Sequence, residues 1–212
     1  MTSNKTHILI VDDHSVMRKG IRTILKWLSY EVHLDEANTG QDALKKIKEH
    51  NFDLIILDIS LPDMSGIDIL HELMKAGSET KCMMFSIHPE EEYARRVFKL
   101  GAVAYIQKGA SFDEFKTAVE KVLKGGRYIS PGFAEKLVFR NDDDRLPHER
   151  LSSREFEIFL MLARGMKNSE LAKTYHISAK TVSTYRSRIM QKMNMSCNAE
   201  LTIYCLKNNL ID

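Results

Sequence analysis

Ile8-Leu9-Ile10-Val11-Asp12-Asp13 sets four consecutive apolar residues directly before two carboxylates. A run this short, without polar alternation, suits a strand covered on both faces rather than one with a wet side. The same design returns in Leu54-Ile55-Ile56-Leu57 before Asp58, in Cys82-Met83-Met84-Phe85 before Ser86, and in Val103-Ala104-Tyr105-Ile106 before Gln107 and Lys108. A weaker strand is expected within 31–37, around Leu34. Amphipathic stretches at 15–28, 39–49, 66–75, 90–99 and 112–124 fall between the runs. Five βα units predict an α/β fold with a doubly wound, five-stranded parallel sheet.

Gly125-Gly126 closes the fifth helix, and Asn141-Asp142-Asp143-Asp144-Arg145-Leu146-Pro147 reads as an exposed linker. Beyond it the strand signals stop. Phe156, Phe159, Leu160 and Ala163, then Leu171, then Val182, Tyr185, Ile189 and Met193 recur at helical spacing. Ser152 with Glu155 forms a capping-box pattern, and Leu151 with Phe156 stands at the staple positions. The expected organisation is a first domain over 1–127, a linker over 128–148 and a small all-α domain of four helices over 149–212.

The chain has 212 residues and 43% hydrophobic content, enough for two domains with real cores. Its apolar runs are only four or five residues long and no charged-then-apolar leader is present, so a cytoplasmic protein without membrane span or secretory signal is expected. Cys82, Cys197 and Cys205 lack metal-ligand spacing and read as reduced thiols. Residues 149–212 carry ten Lys and Arg against six Asp and Glu, a net +4 that leaves −2 for residues 1–148. This asymmetry hints at nucleic acid, though a charge difference this small is often just a solvated surface.

Ligand-binding groups of open parallel sheets gather beyond the carboxyl ends of the strands. Asp12, Asp13, Asp58, Ser86 and Lys108 occupy those positions. Converging carboxylates repel one another, which a divalent cation relieves, and an all-oxygen set favours Mg2+. With the cation and the Lys108 ammonium neutralising phosphoryl oxygens, Asp58 is placed to attack phosphorus and carry an acyl phosphate, with Ser86 bonding the new group. Taken singly, each of these residues would usually be a strand-end turn residue or a solvated lysine; four strand ends carrying complementary chemistry make that coincidence improbable. A phosphoryl-transfer hydrolase of similar topology is a second reading, but neither a cap insertion nor a substrate pocket is evident.

Val11-Asp12-Asp13-His14, Leu57-Asp58, Leu61-Pro62-Asp63-Met64-Ser65-Gly66, Ser86 and Tyr105-Ile106-Gln107-Lys108-Gly109-Ala110-Ser111 together resemble the receiver domain of two-component response regulators, over about residues 5–126. The resemblance implies a flavodoxin-like sheet, Asp58 as phosphoacceptor, Asp13 as direct Mg2+ ligand, Asp12 acting through water and Ser60 through its carbonyl. It makes Lys108 the phosphate-pairing lysine and Ser86 with Tyr105 the switch pair. Gly109 replaces a common proline, and Ser60 and His88 occupy positions that influence acyl phosphate lifetime in that family.

In the second domain 166–175 reads as a short helix, His176-Ile177 as a turn and Ser178 as the cap of a longer helix to about Met193. Val182, Tyr185, Ile189 and Met193 share one face, leaving a polar, basic, acid-free face suited to the major groove or simply to solvent. Leu151-Ser152-Ser153-Arg154-Glu155, Ala163-Arg164-Gly165, Glu170-Leu171-Ala172, Ile177-Ser178-Ala179-Lys180-Thr181-Val182-Ser183 and Lys192-Met193 resemble the LuxR/FixJ-type DNA-binding domain. Expected base-edge contacts are Ser183, Thr184 and Ser187, and expected phosphate contacts are Lys180, Thr181, Arg188 and Lys192. Arg186 is expected nearer the buried border. A last helix, 198–207, is expected to pair two domains through an apolar strip of Leu201 and Cys205, or to pack within one.

The resemblances imply a transcription factor, not an enzyme beyond accepting the phosphoryl group and slowly losing it. A sensor histidine kinase or phosphotransfer protein would phosphorylate Asp58, promoting homodimerisation and binding to paired promoter half-sites in double-stranded DNA. A phosphate-independent DNA binder, whose first domain is a protein-interaction module, is the alternative.

Overall fold

The computed structural model describes residues 5–28, 31–138, 146–208 and 210–211. Strands β1 (Thr6–Val11), β2 (Val32–Ala37), β3 (Leu54–Leu57), β4 (Lys81–Ser86) and β5 (Ala104–Gln107) form one parallel sheet in the order β2-β1-β3-β4-β5. Helices α1 (Ser15–Leu25), α2 (Gly40–Glu49), α3 (Gly66–Lys75), α4 (Glu90–Leu100) and α5 (Phe112–Leu123) alternate with the strands. Ile8, Ile10, Ile56, Met83, Phe85 and Ile106 pack on Ile21 and Leu25 of α1 and on Phe115, Ala118, Val119 and Val122 of α5. The alternate residues Leu9, Ile55 and Met84 are also fully buried, which is why these runs lack polar alternation.

Local chemistry starts and stops the helices. Thr39, Ser65 and Ser111 cap α2, α3 and α5 with side-chain oxygens that accept from backbone N–H groups. Helix α4 ends at Gly101, whose φ of 110° suits glycine, while the Ala102 N–H returns to the Val97 carbonyl. Helix α1 stops at Leu25, three residues before the expected end, because Trp27 and Leu28 donate to the Ile24 and Leu25 carbonyls in a tighter turn.

The chain divides into two compact units, Met1–Val138 and Phe139–Asp212. Residues 128–138, expected at the head of a linker, carry structure of the first unit. Tyr128 donates its N–H to Val103 beside β5, and helix α6 (Pro131–Val138) buries Phe133, whose ring stacks near Phe98 of α4. The sequence signal was weak because one aromatic anchors so short a helix. Most of the linker expected at 141–147 lies outside the described residues.

The second unit has a 3₁₀ turn, Pro147–Arg150, and helices α7 (Ser153–Ala163), α8 (Asn168–Thr174), α9 (Ala179–Met193) and α10 (Asn198–Lys207). At the start of α7 the expected capping box is formed: Ser152 Oγ accepts from the Glu155 N–H, and Glu155 Oε2 accepts from the Ser152 N–H at 2.7 Å. Leu151 and Phe156 are both buried beside it.

Candidate functional site

Strands β1 and β3 are neighbours, yet the chain leaves β1 toward β2 and leaves β3 toward β4. That reversal opens a crevice at their carboxyl ends, the place where doubly wound sheets bind ligands. The ladder continues one residue past each strand. Asp12 donates its N–H to the Ala37 carbonyl, Asp58 to Val11 and Lys108 to Ser86, so their side chains start from fixed backbone.

Asp12, Asp58 and Lys108 converge in the crevice, and the side chain of each is almost fully buried. Lys108 Nζ lies 2.8 Å from Asp12 Oδ2 and 2.7 Å from Asp58 Oδ2. Burial pushes the Asp58 carboxyl above its usual range, and the Lys108 ammonium only partly offsets it. Burial also opposes the charge on Lys108, but Asp58 and Asp12 outweigh it and raise the ammonium's pKa. Asp13 is exposed and pairs with His14 Nδ1 at 2.7 Å.

Ligand atoms of Asp12, Asp13, His14 and Asp58 lie within 4.8 Å of one another. Asp58 Oδ1 is buried with no hydrogen-bond partner, an orphan that a cation would satisfy. Carboxylate oxygens suit a hard divalent cation, and Asp13 and His14 form the exposed side of the cluster.

Around the three buried charges, Ser86 is fully buried and Tyr105 lies inward with its hydroxyl donating to the His88 carbonyl at 2.8 Å. Burial pushes the Tyr105 phenol well up, so it stays neutral. Ser60 and His88, two residues beyond Asp58 and Ser86, meet at 2.9 Å between Oγ and Nε2. Two supports had no clear sequence signal. Arg18 donates to the Asp12 and Asp13 carbonyls, and Asp63 accepts from the Gly40 and Gln41 N–H groups at the start of α2.

In the second unit Ser178 caps α9 through the Thr181 N–H at 3.0 Å. Lys180, Ser183, Thr184, Ser187, Arg188 and Lys192 are exposed and Thr181 is half-buried. A surface depression is lined by Ser178, Lys180, Thr181, Thr184, Tyr185 and Arg188. Tyr185, expected on the core face, contributes to this surface instead. Ser183, Thr184 and Ser187 donate their hydroxyls to carbonyls one turn back, leaving oxygen lone pairs outward. The Lys192 ammonium reaches Glu155 Oε2 at 2.5 Å, so it also anchors α9 to the α7 cap. Arg186 bonds Asn198 at the buried border.

The sequence matches the description "Response regulator receiver domain" over residues 8–120 and "Bacterial regulatory proteins, luxR family" over residues 149–205. Response regulator UvrY of Escherichia coli K12 is 31% identical over 207 residues, covering 96% of this chain and 95% of UvrY. The chain belongs to the LuxR-type response regulators. Response regulator GacA of Pseudomonas aeruginosa is likewise 31% identical over 208 residues, covering 97% of each chain. The solved Salmonella typhimurium RcsB response regulator shares the fold with a TM-score of 0.67 at 20% identity, covering 97% of this regulator and 98% of RcsB. A LuxR-family response regulator from Aurantimonas matches with a TM-score of 0.57 at 28% identity over 64% of this chain and 96% of its own. The regulator is thus a DNA-binding transcription regulator of the two-component type. Among the described residues no helix is long and apolar enough to cross a membrane.

Of the two readings of α10, packing within one domain is the one found: Leu201 and Cys205 are fully buried, so they supply no strip for pairing two domains. They fall on the side of α10 that packs on α7, whereas Ile203 and Leu206 stay exposed.

Proposed function

We propose that a sensor histidine kinase or phosphotransfer protein phosphorylates Asp58 of this cytoplasmic regulator, and that the phosphorylated form pairs as a homodimer on promoter half-sites. The observation that carries this reading is the orphaned, buried Asp58 Oδ1 beside Lys108 at the switch point of the sheet. An Asp58 carboxylate oxygen bonds to phosphorus as the bond from phosphorus to the donor's imidazole nitrogen breaks, leaving an acyl phosphate on Asp58. Asp12, Asp13, Asp58 and the Ser60 carbonyl would hold Mg2+, which supplies positive charge for the phosphoryl oxygens. Lys108 pairs a phosphoryl oxygen from the other side. The Ser86 hydroxyl donates to a phosphoryl oxygen, and the inward Tyr105 ring packs behind it. The protein performs no further catalysis beyond slow loss of the phosphoryl group.

In the second unit Ser183, Thr184 and Ser187 face base edges while Lys180, Thr181, Arg188 and Lys192 meet phosphates. Support comes from an acid-free exposed face and from the N-terminus of α9, whose N–H groups favour a backbone phosphate. The direct test is Mg2+-dependent labelling from acetyl phosphate, resolved on phosphate-affinity gels, for wild type and Asp58→Ala. Labelling of wild type alone is expected. No labelling from acetyl phosphate or from candidate kinases would overturn the phosphoacceptor assignment in favour of a phosphate-independent module.

A further inference from the structure

The amino end of the sheet, opposite the acidic crevice, carries a second cluster of ligating side chains. His7 of β1 pairs in register with His33 of the edge strand β2, and Asp35 follows two residues along. Residues paired in register, and those two apart on one strand, project from the same face. One ligand atom from each of His7, His33 and Asp35 lies within 4.8 Å of the others. His7 Nε2 is 3.0 Å from Asp35 Oδ2, and the His7 and His33 ring centres are 4.7 Å apart.

The surroundings of His7 sharpen the chemistry. Its Nδ1 lies 3.1 Å from the Asn51 carbonyl oxygen, which only accepts, so Nδ1 carries the proton. Nε2 then faces a carboxylate, also an acceptor. Two arrangements satisfy that contact: a second ring proton, forming an ion pair, or a cation shared by the nitrogen lone pair and the carboxylate. A histidine that donates one ring N–H to a backbone carbonyl and turns the other nitrogen toward a ligand set is the usual outer arrangement of a metal site. Ligands about 2.0–2.2 Å from Zn2+ stand roughly 3.3 Å apart in a tetrahedron, close to the 3.0 Å already present between His7 Nε2 and Asp35 Oδ2. His33 is exposed, and its ligand atom lies within 4.8 Å of the other two.

We propose that His7, His33 and Asp35 bind a divalent transition-metal ion of the Zn2+ class, clipping edge strand β2 to β1. Two imidazoles and one carboxylate select such an ion over Mg2+ or Ca2+, which prefer oxygen alone. The site is separate in chemistry and position from the oxygen-lined crevice.

The test titrates Zn2+ into the full-length, reduced protein against a chromophoric chelator, with saturating Mg2+ occupying the crevice. Wild type, His33→Asn, Asp35→Asn and the crevice variant Asp13→Asn are compared, with circular dichroism confirming their fold. Wild type and Asp13→Asn should take up one equivalent, and both strand variants should lose at least about 10-fold in affinity, since disturbing even an outer partner of a metal site costs 10–100-fold. Co2+ substituted for Zn2+ should give visible d–d bands in wild type that His33→Asn abolishes. Equal uptake by wild type and both strand variants, or loss confined to Asp13→Asn, would overturn the proposal and leave His7 and Asp35 as an ion pair.

Discussion

Two residues, Gly66 and Glu155, hold the regulator's sites in shape. Gly66 begins α3 directly against the backbone of Asp58, and a Cβ there would stand 1.9 Å from the Asp58 carbonyl oxygen. Backbone cannot yield as a flexible side chain can, so Gly66→Ala should cost about 3 kcal/mol, the upper end of ordinary overpacking, in denaturant unfolding of the first unit. Glu155 is the second case. Burial pushes its carboxyl up, but Lys192 and the Ser152 N–H outweigh burial and hold it below the usual carboxylate range. A depressed folded-state pKa means that charge favours folding. The contribution is complete above the ordinary glutamate value of about 4.3 and is lost as pH falls through the lower folded value. Glu155→Gln should cost about 1 kcal/mol at pH 7, and unfolding midpoints measured from pH 6 down to about 3 should show a shallower acid-side decline than wild type.

At the scale of elements, α9 combines an exposed reading face with a core face of Val182, Ile189 and Met193. Its first turn depends on Ser178, whose loss as Ser178→Ala should lower stability by about 1 kcal/mol in thermal melts of the second unit. Arg188 tests the outward face. Arg188→Ala should weaken DNA binding across sequences and reduce the slope of log affinity against log salt by about 1, measured by fluorescence anisotropy. An unchanged slope would place Arg188 away from the phosphates.

For the whole molecule, each of the two compact units has its own buried core, one around the sheet and one around Phe156, Phe159, Leu160 and Leu171. Each should therefore fold when produced alone. A fragment of residues 1–138 should label from acetyl phosphate, and one of residues 139–212 should be helical and bind DNA. Ending the first fragment at 127 removes Tyr128 and α6, which bond to Val103 and cover Phe98, and should lower its melting temperature. Equal melting of the 1–127 and 1–138 fragments would show that α6 contributes nothing to that unit.

Short apolar runs each ending in a polar residue revealed the five strands and the groups at their ends, because burial on both faces and ligand placement leave local marks. Asp12, Asp58 and Lys108 were legible for that reason, as was the Ser152–Glu155 capping box, whose spacing is its mechanism. Contacts between distant segments left no such mark. Arg18 under the Asp12 carbonyl, Asp63 at the head of α2, Phe133 against Phe98 and Lys192 on Glu155 depend on how helices pack. The burial of Leu201 and Cys205 was open for the same reason: a helical period marks an apolar stripe, and only packing decides whether its own domain or another molecule covers it. Register alone brought His7 beside His33, since pairing between strands separated by a helix is set by the sheet and not by neighbours along the chain.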